Sequence, residues 1–283
     1  MPIGTRRLDA RRALLTAAAC AQCALSAAQA DERPVWELGL GIGLVAFNDY
    51  RGADTAHAFP VPVPYFVYRG HFLKADRNGT RAQFFSAPRV EFNLSISGTT
   101  PVRDNSTRAG MPDLKPTLEF GGALEVHMWR SADRRLKLDL RVPARAAATV
   151  ESSPHMVGAY VAPQVSLDIE QLPKAEGWKL GLLAGPLFAT QRYNAYLYSV
   201  APQYATPWRP AYDASGGYAG TQTLVSLTRR FPRFWLGAYV RYDTLAGASF
   251  AASPLVTKNS YWAGGFGFAW VISQSSHLIP SDD

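Results

Sequence analysis

Residues 36–44 read Trp36-Glu37-Leu38-Gly39-Leu40-Gly41-Ile42-Gly43-Leu44. Large apolar side chains alternate here with glycine or a charge, and a period of two places the two sets on opposite faces of an extended strand. A helix would scatter both sets around its circumference. Similar alternation runs through Val90, Phe92, Leu94 and Ile96, then Leu118, Phe120, Leu124 and Val126, then Leu136, Leu138, Leu140 and Val142. It continues with Val165, Leu167 and Ile169, with Trp178, Leu180 and Leu182, with Leu236, Ala238 and Val240, and with Trp262, Phe266, Phe268, Trp270 and Ile272. Two weaker segments, 62–74 and 218–230, bring the expected count to about ten strands, with room for twelve.

Several of these runs are nine to thirteen residues long. Soluble strands average five or six, whereas a tilted strand needs nine to eleven to cross hydrocarbon. The connections near 48–61, 98–114, 149–156, 193–217 and 247–259 are mostly long, and those near 75–80, 130–134, 172–177 and 231–232 are short. Such alternation is the pattern of an up-and-down membrane barrel with short periplasmic turns and long outer loops. Trp36, Trp129, Trp178, Trp235 and Trp270 fall at the ends assigned to the periplasmic rim. Trp129 and Trp235 are out of phase with the lipid-facing set, so the phase turns them toward the lumen and leaves three residues for an aromatic girdle. A soluble sandwich also alternates, but its outer face would be polar rather than rich in glycine and alanine.

Residues 1–30 carry Arg6, Arg7, Arg11 and Arg12, an apolar stretch from Ala13 to about Leu25, and Ala28-Gln29-Ala30, the layout of a cleaved secretory signal peptide. The expected organisation is therefore a leader over 1–30 and a barrel over 31–283. Removing the leader takes away both cysteines, Cys20 and Cys23, and lowers the net charge from +7 to +4. That balance, without a basic run longer than a pair, gives no reason to expect nucleic acid. The apolar stretch Tyr261–Ile272 is too short for a membrane helix.

The residues that alternate with the lipid-facing set include Glu37, Arg89, Glu91, Glu119, Glu125, Asp139, Arg141, Arg241 and Asp243, joined by Lys137, Asp168 and Lys179. A barrel of about ten strands is barely wider than its own side chains, so these charges are expected to pair into a plug. The fourth long loop is dense in aromatics with polar tips: Tyr193, Tyr196, Tyr198, Tyr204, Trp208 and Tyr212. Such side chains suit either an outward binding surface or an inward-folded cap. The short turns carry Arg134, Arg135 and Arg230, a candidate docking surface for a periplasmic partner. Catalysis is not expected. His57 with Asp49 and Asp54 is the best rim cluster, and no Asp-His pairing recurs in another long loop to complete a site. No metal or cofactor is expected either.

Tyr50-Arg51-Gly52, Pro62-Val63-Pro64-Tyr65-Phe66-Val67-Tyr68-Arg69-Gly70 and Arg209-Pro210-Ala211-Tyr212-Asp213-Ala214-Ser215-Gly216-Gly217-Tyr218 carry a resemblance. Arg241-Tyr242-Asp243-Thr244-Leu245-Ala246-Gly247-Ala248 and Ser253-Pro254-Leu255-Val256 extend it. With these stretches the chain resembles the MipA/OmpV family of outer-membrane proteins over nearly the whole mature length. The resemblance implies an outer-membrane barrel in contact with lipid. It also implies a scaffold that brings a bifunctional murein synthase to a lytic murein transglycosylase in peptidoglycan metabolism. Relatives described as adhesins or porin-like proteins imply the alternatives, a surface adhesin or a narrow channel for small solutes. One departure from barrels that end on an aromatic residue is the extension 274–283 past the last strand.

Overall fold

The computed structural model describes residues 32–69, 73–76, 79–87, 89–172 and 174–280. The leader with its cysteines, His71 and Asn78 lie outside them. In chain order the strands are β1 (Glu32–Pro34), β2 (Trp36–Asn48), β3 (Ala56–Arg69), β4 (Leu73–Asp76), β5 (Gly79–Ala87), β6 (Val90–Gly98), β7 (Thr117–Arg130) and β8 (Leu136–Thr149). They continue as β9 (Met156–Val161), β10 (Gln164–Ile169), β11 (Trp178–Ala189), β12 (Gly217–Arg230), β13 (Phe234–Thr244), β14 (Ser260–Gln274) and β15 (Leu278–Pro280). One short helix, α1 (Gln191–Tyr198), precedes β12.

The chain divides into two units. In one, β1 pairs antiparallel with β15, with Arg33 opposite Ile279, and Val35 N–H donates to His277 O at 3.1 Å. The residues past the last long strand thus end in a strand of their own. The other unit, Trp36–Gln274, is an antiparallel sheet of thirteen strands that closes on itself. Strand β8 pairs with β9 along one half and β10 along the other, and β11 also pairs with both, so β9 and β10 share one place in the ring. The break between them falls at Ala162-Pro163, where proline removes a ladder donor. The ring therefore has twelve positions: the ten long strands expected from the sequence, plus β4 and β5. The tight connection between β4 and β5 interrupts the strict alternation of long and short connections.

Closure explains the residue pattern. Leu38, Leu40, Ile42, Leu44, Phe92, Ile96, Phe120, Val240, Phe266 and Trp270 project outward and stay exposed, Ile42 by 64% and Trp270 by 59%. In water such a continuous apolar belt would drive aggregation, and in hydrocarbon it matches its solvent. On the inside, glycines permit close strand packing. At Gly41 a Cβ would lie 1.8 Å from Phe268 O.

The two out-of-phase tryptophans behave differently. A bulge between His127 and Trp129 places Trp129 opposite Leu138, returning it to the lipid face, where it is exposed. The phase argument fails for this residue because a bulge shifts every later side chain by one. Trp235 lies opposite buried Ala269 and turns inward over Gly237, with its ring 6.1 Å from Tyr65.

Candidate functional site

A cluster of buried apolar side chains lies in the long loops and the strand ends beneath them. Tyr50 and Ala53 come from the first loop, Val102 and Leu114 from the loop after β6, Tyr198, Val200 and Ala214 from the loop after β11, and Leu245, Phe250 and Leu255 from the loop after β13. Burying these side chains together is what orders four otherwise independent segments. Helix α1 starts at Thr190, whose hydroxyl accepts from Tyr193 N–H, a cap that suits threonine. It rests on β9 at Gly158, whose φ is +129° and where a Cβ would sit 2.4 Å from Tyr193 N. Only glycine meets both demands.

Polar contacts knit the cap together. Tyr198 is buried, stacks on Phe250 and donates from its hydroxyl to Arg51 O at 2.9 Å. Tyr50 Oη donates to Leu255 O at 2.8 Å, Ser253 Oγ to Tyr198 O at 2.7 Å and Arg108 Nη1 to Leu197 O at 3.0 Å. Arg209 Nη1 donates to Thr107 O at 2.8 Å, and Tyr196 Oη to Lys115 O at 2.9 Å. Burial pushes the Tyr50 hydroxyl up to about 12 and raises those of Tyr193 and Tyr198, so all three are neutral at physiological pH. Of the six loop aromatics, Tyr193, Tyr196, Tyr204 and Tyr212 pack partly buried against this core. Tyr198 lies inside it, and Trp208 stands 81% exposed.

Beneath the cap the lumen charges form two levels. At the outer level fully buried Asp243 accepts from Arg241 Nε at 2.7 Å and Arg51 Nε at 3.1 Å, while Arg51 Nη1 donates to Ala219 O at 2.7 Å. Buried Glu119 accepts from Tyr160 Oη at 2.7 Å and Tyr193 Oη at 3.0 Å, and Arg145 reaches Tyr160 and Ser95. At the inner level Glu37 accepts from Arg230 Nε at 2.7 Å and from Tyr65 Oη at 3.1 Å. Glu125 faces Arg141 at 3.4 Å, Arg130 meets Asp139 at 2.6 Å, and His127 lies 3.0 Å from Asp139 and 3.4 Å from Glu91. Lys137 and Lys179 both pair with Glu170. Pairing on this scale offsets the cost of keeping charge away from bulk water.

Arg89 lies exposed in the turn before β6. Arg230, grouped by sequence with the periplasmic turns, points inward opposite Trp235 and binds Glu37. Arg134 and Arg135 remain exposed, with Arg134 at a φ of +57° in the turn over 131–135. The lumen charges expected from the sequence did not include Arg51, Arg130, Arg145 or His127. Arg51 sits in a loop, outside any alternation, whereas His127 follows Glu125 at period two and had the signal of an inward residue.

Glu125, His127 and Asp139 bring three ligand-type atoms within 4.8 Å of one another. The Arg130 guanidinium reaches both Asp139 and His127, at 2.6 and 2.8 Å, so two of the three groups already bind a cationic side chain, and Glu125 faces Arg141. The arrangement can hold β7 to β8 and narrow the lumen.

Comparison with solved structures finds LpxR from Salmonella typhimurium, at 11% identity and a TM-score of 0.41 over 83% of this chain and all of that one. The outer membrane channel DcaP of Acinetobacter baumannii matches at 11% identity and 0.30, over 86% and 98% of the two chains. The Ralstonia pickettii toluene transporter TbuX matches at 10% and 0.28, over 87% and 71%. No curated protein matches the sequence. The family model described as MltA-interacting protein MipA matches residues 40–272, and the chain belongs to that family.

Proposed function

We propose that the protein is a non-enzymatic outer-membrane barrel that scaffolds murein enzymes, bringing a lytic transglycosylase to a murein synthase on the periplasmic side. The family description, MltA-interacting protein, supports a transglycosylase partner. The observation that carries the reading is the cap. A packed apolar core fills the outer mouth over paired charges, an arrangement suited to a rigid platform rather than to flux. The surface left for a periplasmic partner is the rim of short turns, where Arg134 and Arg135 are exposed, Arg135 lying 3.6 Å from equally exposed Asp133. Export by the 1–30 leader and residence in the outer membrane belong to the same proposal.

The test is binding of purified transglycosylase and purified synthase to the barrel in lipid nanodiscs. Saturable binding of either, lost on reversing Arg134 and Arg135, supports the scaffold. Absence of binding, together with discrete conductance in planar bilayers, contradicts it. Exposed Trp208 favours adhesion as a second reading, which a loss of surface binding in Trp208→Ala would separate from the first.

A further inference from the structure

Strand β3 contains Pro60, Pro62 and Pro64, spaced two apart. Its ladder with β2 is unbroken from Trp36↔Tyr68 to Asn48↔Ala56 and pairs these prolines with Leu44, Ile42 and Leu40. Proline has no N–H, so the hydrogen-bonded pairs of this ladder are those between them, such as Val61↔Gly43 and Val63↔Gly41. The backbone groups of all three prolines therefore point the other way, toward β4. On that side the described pairing with β4 consists of Tyr68↔Ala75 and Arg69↔Lys74, and β4 ends at Asp76. Between Phe66 and Ala58, whose N–H groups face the same edge, three successive donor positions are vacant by chemistry. Proline in a sheet belongs on such an edge.

The two faces of β3 are as unusual as its edge. Outward it carries Ala58, the prolines and Phe66. Inward it carries Phe59, Val61, Val63 and Tyr65, with Phe59 42% exposed and 5.7 Å from Phe47. Outward of Glu37, the lumen wall beside it is lined by Gly39, Gly41, Gly43 and Val45 on β2, with Trp235 beside Tyr65. Most lumen charges lie on β6 to β8, β10 to β11 and β13, and on this wall Glu37 at the inner end is held by Arg230 and Tyr65. The proline-bearing stretch of the edge thus borders a short apolar stretch of the lumen wall, outward of Glu37.

We propose that the edge of β3 is a lateral opening through which the hydrocarbon chain of a membrane lipid enters the barrel and lies along Phe59, Val61, Val63 and Tyr65. Three observations select this occupant. The opening lies within the lipid-facing belt, flanked by exposed Ile42 and Leu44. An added peptide strand needs backbone donors from the edge, which the prolines do not supply. A hydrocarbon chain needs none and matches the apolar strip on the lumen side.

The test uses the full mature barrel in vesicles doped with a phospholipid carrying a photoactivatable diazirine at mid-chain, with adducts mapped by mass spectrometry. Adducts are expected on inward Val61, Val63 and Tyr65 as well as on outward Leu40 and Ile42, and not on inward Ser166 of β10. In P60T/P62T/P64T, which restores the donors, the inward adducts should fall to the Ser166 level while the outward ones persist. V63R, which leaves the ladder untouched, should do the same, and heat-dependent gel mobility confirms that each variant is folded. Adducts confined to outward residues in the wild type overturn the proposal. So do inward adducts that survive unchanged in a folded variant of either kind.

Discussion

Tyr198 lies flat on Phe250, with ring centroids 3.7 Å apart and planes 7° from parallel, although 52 residues separate them in the chain. This contact locks α1 to the loop after β13 at the centre of the buried cluster. Each ring is almost fully removed from solvent.

Truncating either ring therefore opens a cavity in the cap while leaving the barrel ladder intact. Tyr198→Ala or Phe250→Ala should cost the cap about 3–5 kcal/mol. Limited proteolysis should then cut within 190–216 and 245–259, with heat-dependent gel mobility of the barrel unchanged. A cap that stays resistant would show that the stack is dispensable.

Asp243 holds two guanidinium groups, and removing it leaves Arg51 and Arg241 facing each other without a counter-charge. Asp243→Ala should destabilise the fold by about 3–5 kcal/mol. Asp243→Ala combined with Arg51→Met should lose less than the sum of the two single changes, because the pair acts as a unit. Thermal unfolding in detergent reads both.

The cap should loosen at alkaline pH. Tyr50 ionises at about 12 in the folded protein against about 10 in the unfolded chain. The raised folded value means that its contribution is fully present below pH 10 and is lost as pH rises through 12. Proteolytic sensitivity of the loops should increase across that window, and Tyr50→Phe should flatten the part of the profile due to this hydroxyl.

Gly158→Ala should displace α1, since its Cβ would meet Tyr193 N at 2.4 Å and its φ is +129°. A cost of about 1–3 kcal/mol or more is expected, confined to the cap. Faster hydrogen exchange of Asn194 and Tyr198 amides, with strand amides unchanged, is the readout.

Reversing Arg134 and Arg135 to glutamate should leave stability within about 0.5 kcal/mol, because both are exposed in a turn. Partner binding should fall, most at low salt, where exposed charges act furthest.

Strands such as β2 and β13 were readable because one face meets lipid and the other does not, which writes a period of two into the sequence. Strand β3 was only a weak signal because Ala58–Tyr68 is apolar on both faces, so the alternation vanishes. Strand β4 is too short to show a period, and β5, with Phe84 and Phe85 adjacent among small and polar residues, does not alternate. At Trp129 a bulge undid a phase argument that held two residues earlier. The cap was open to two readings, since Tyr198 meets Phe250 and Arg51 meets Asp243 only through tertiary closure. Arg230 was misplaced for a related reason: strand β12 runs to its very end, so this arginine still faces inward.

The most direct measurement is chemical cross-linking of the protein in intact outer membranes, followed by capture and identification of partners by mass spectrometry. The account predicts recovery of a lytic murein transglycosylase, with a murein synthase, through cross-links on the turns over 131–135 and 170–177. Recovery of only lipopolysaccharide and barrel-assembly factors, from membranes in which both enzymes are present, would contradict it.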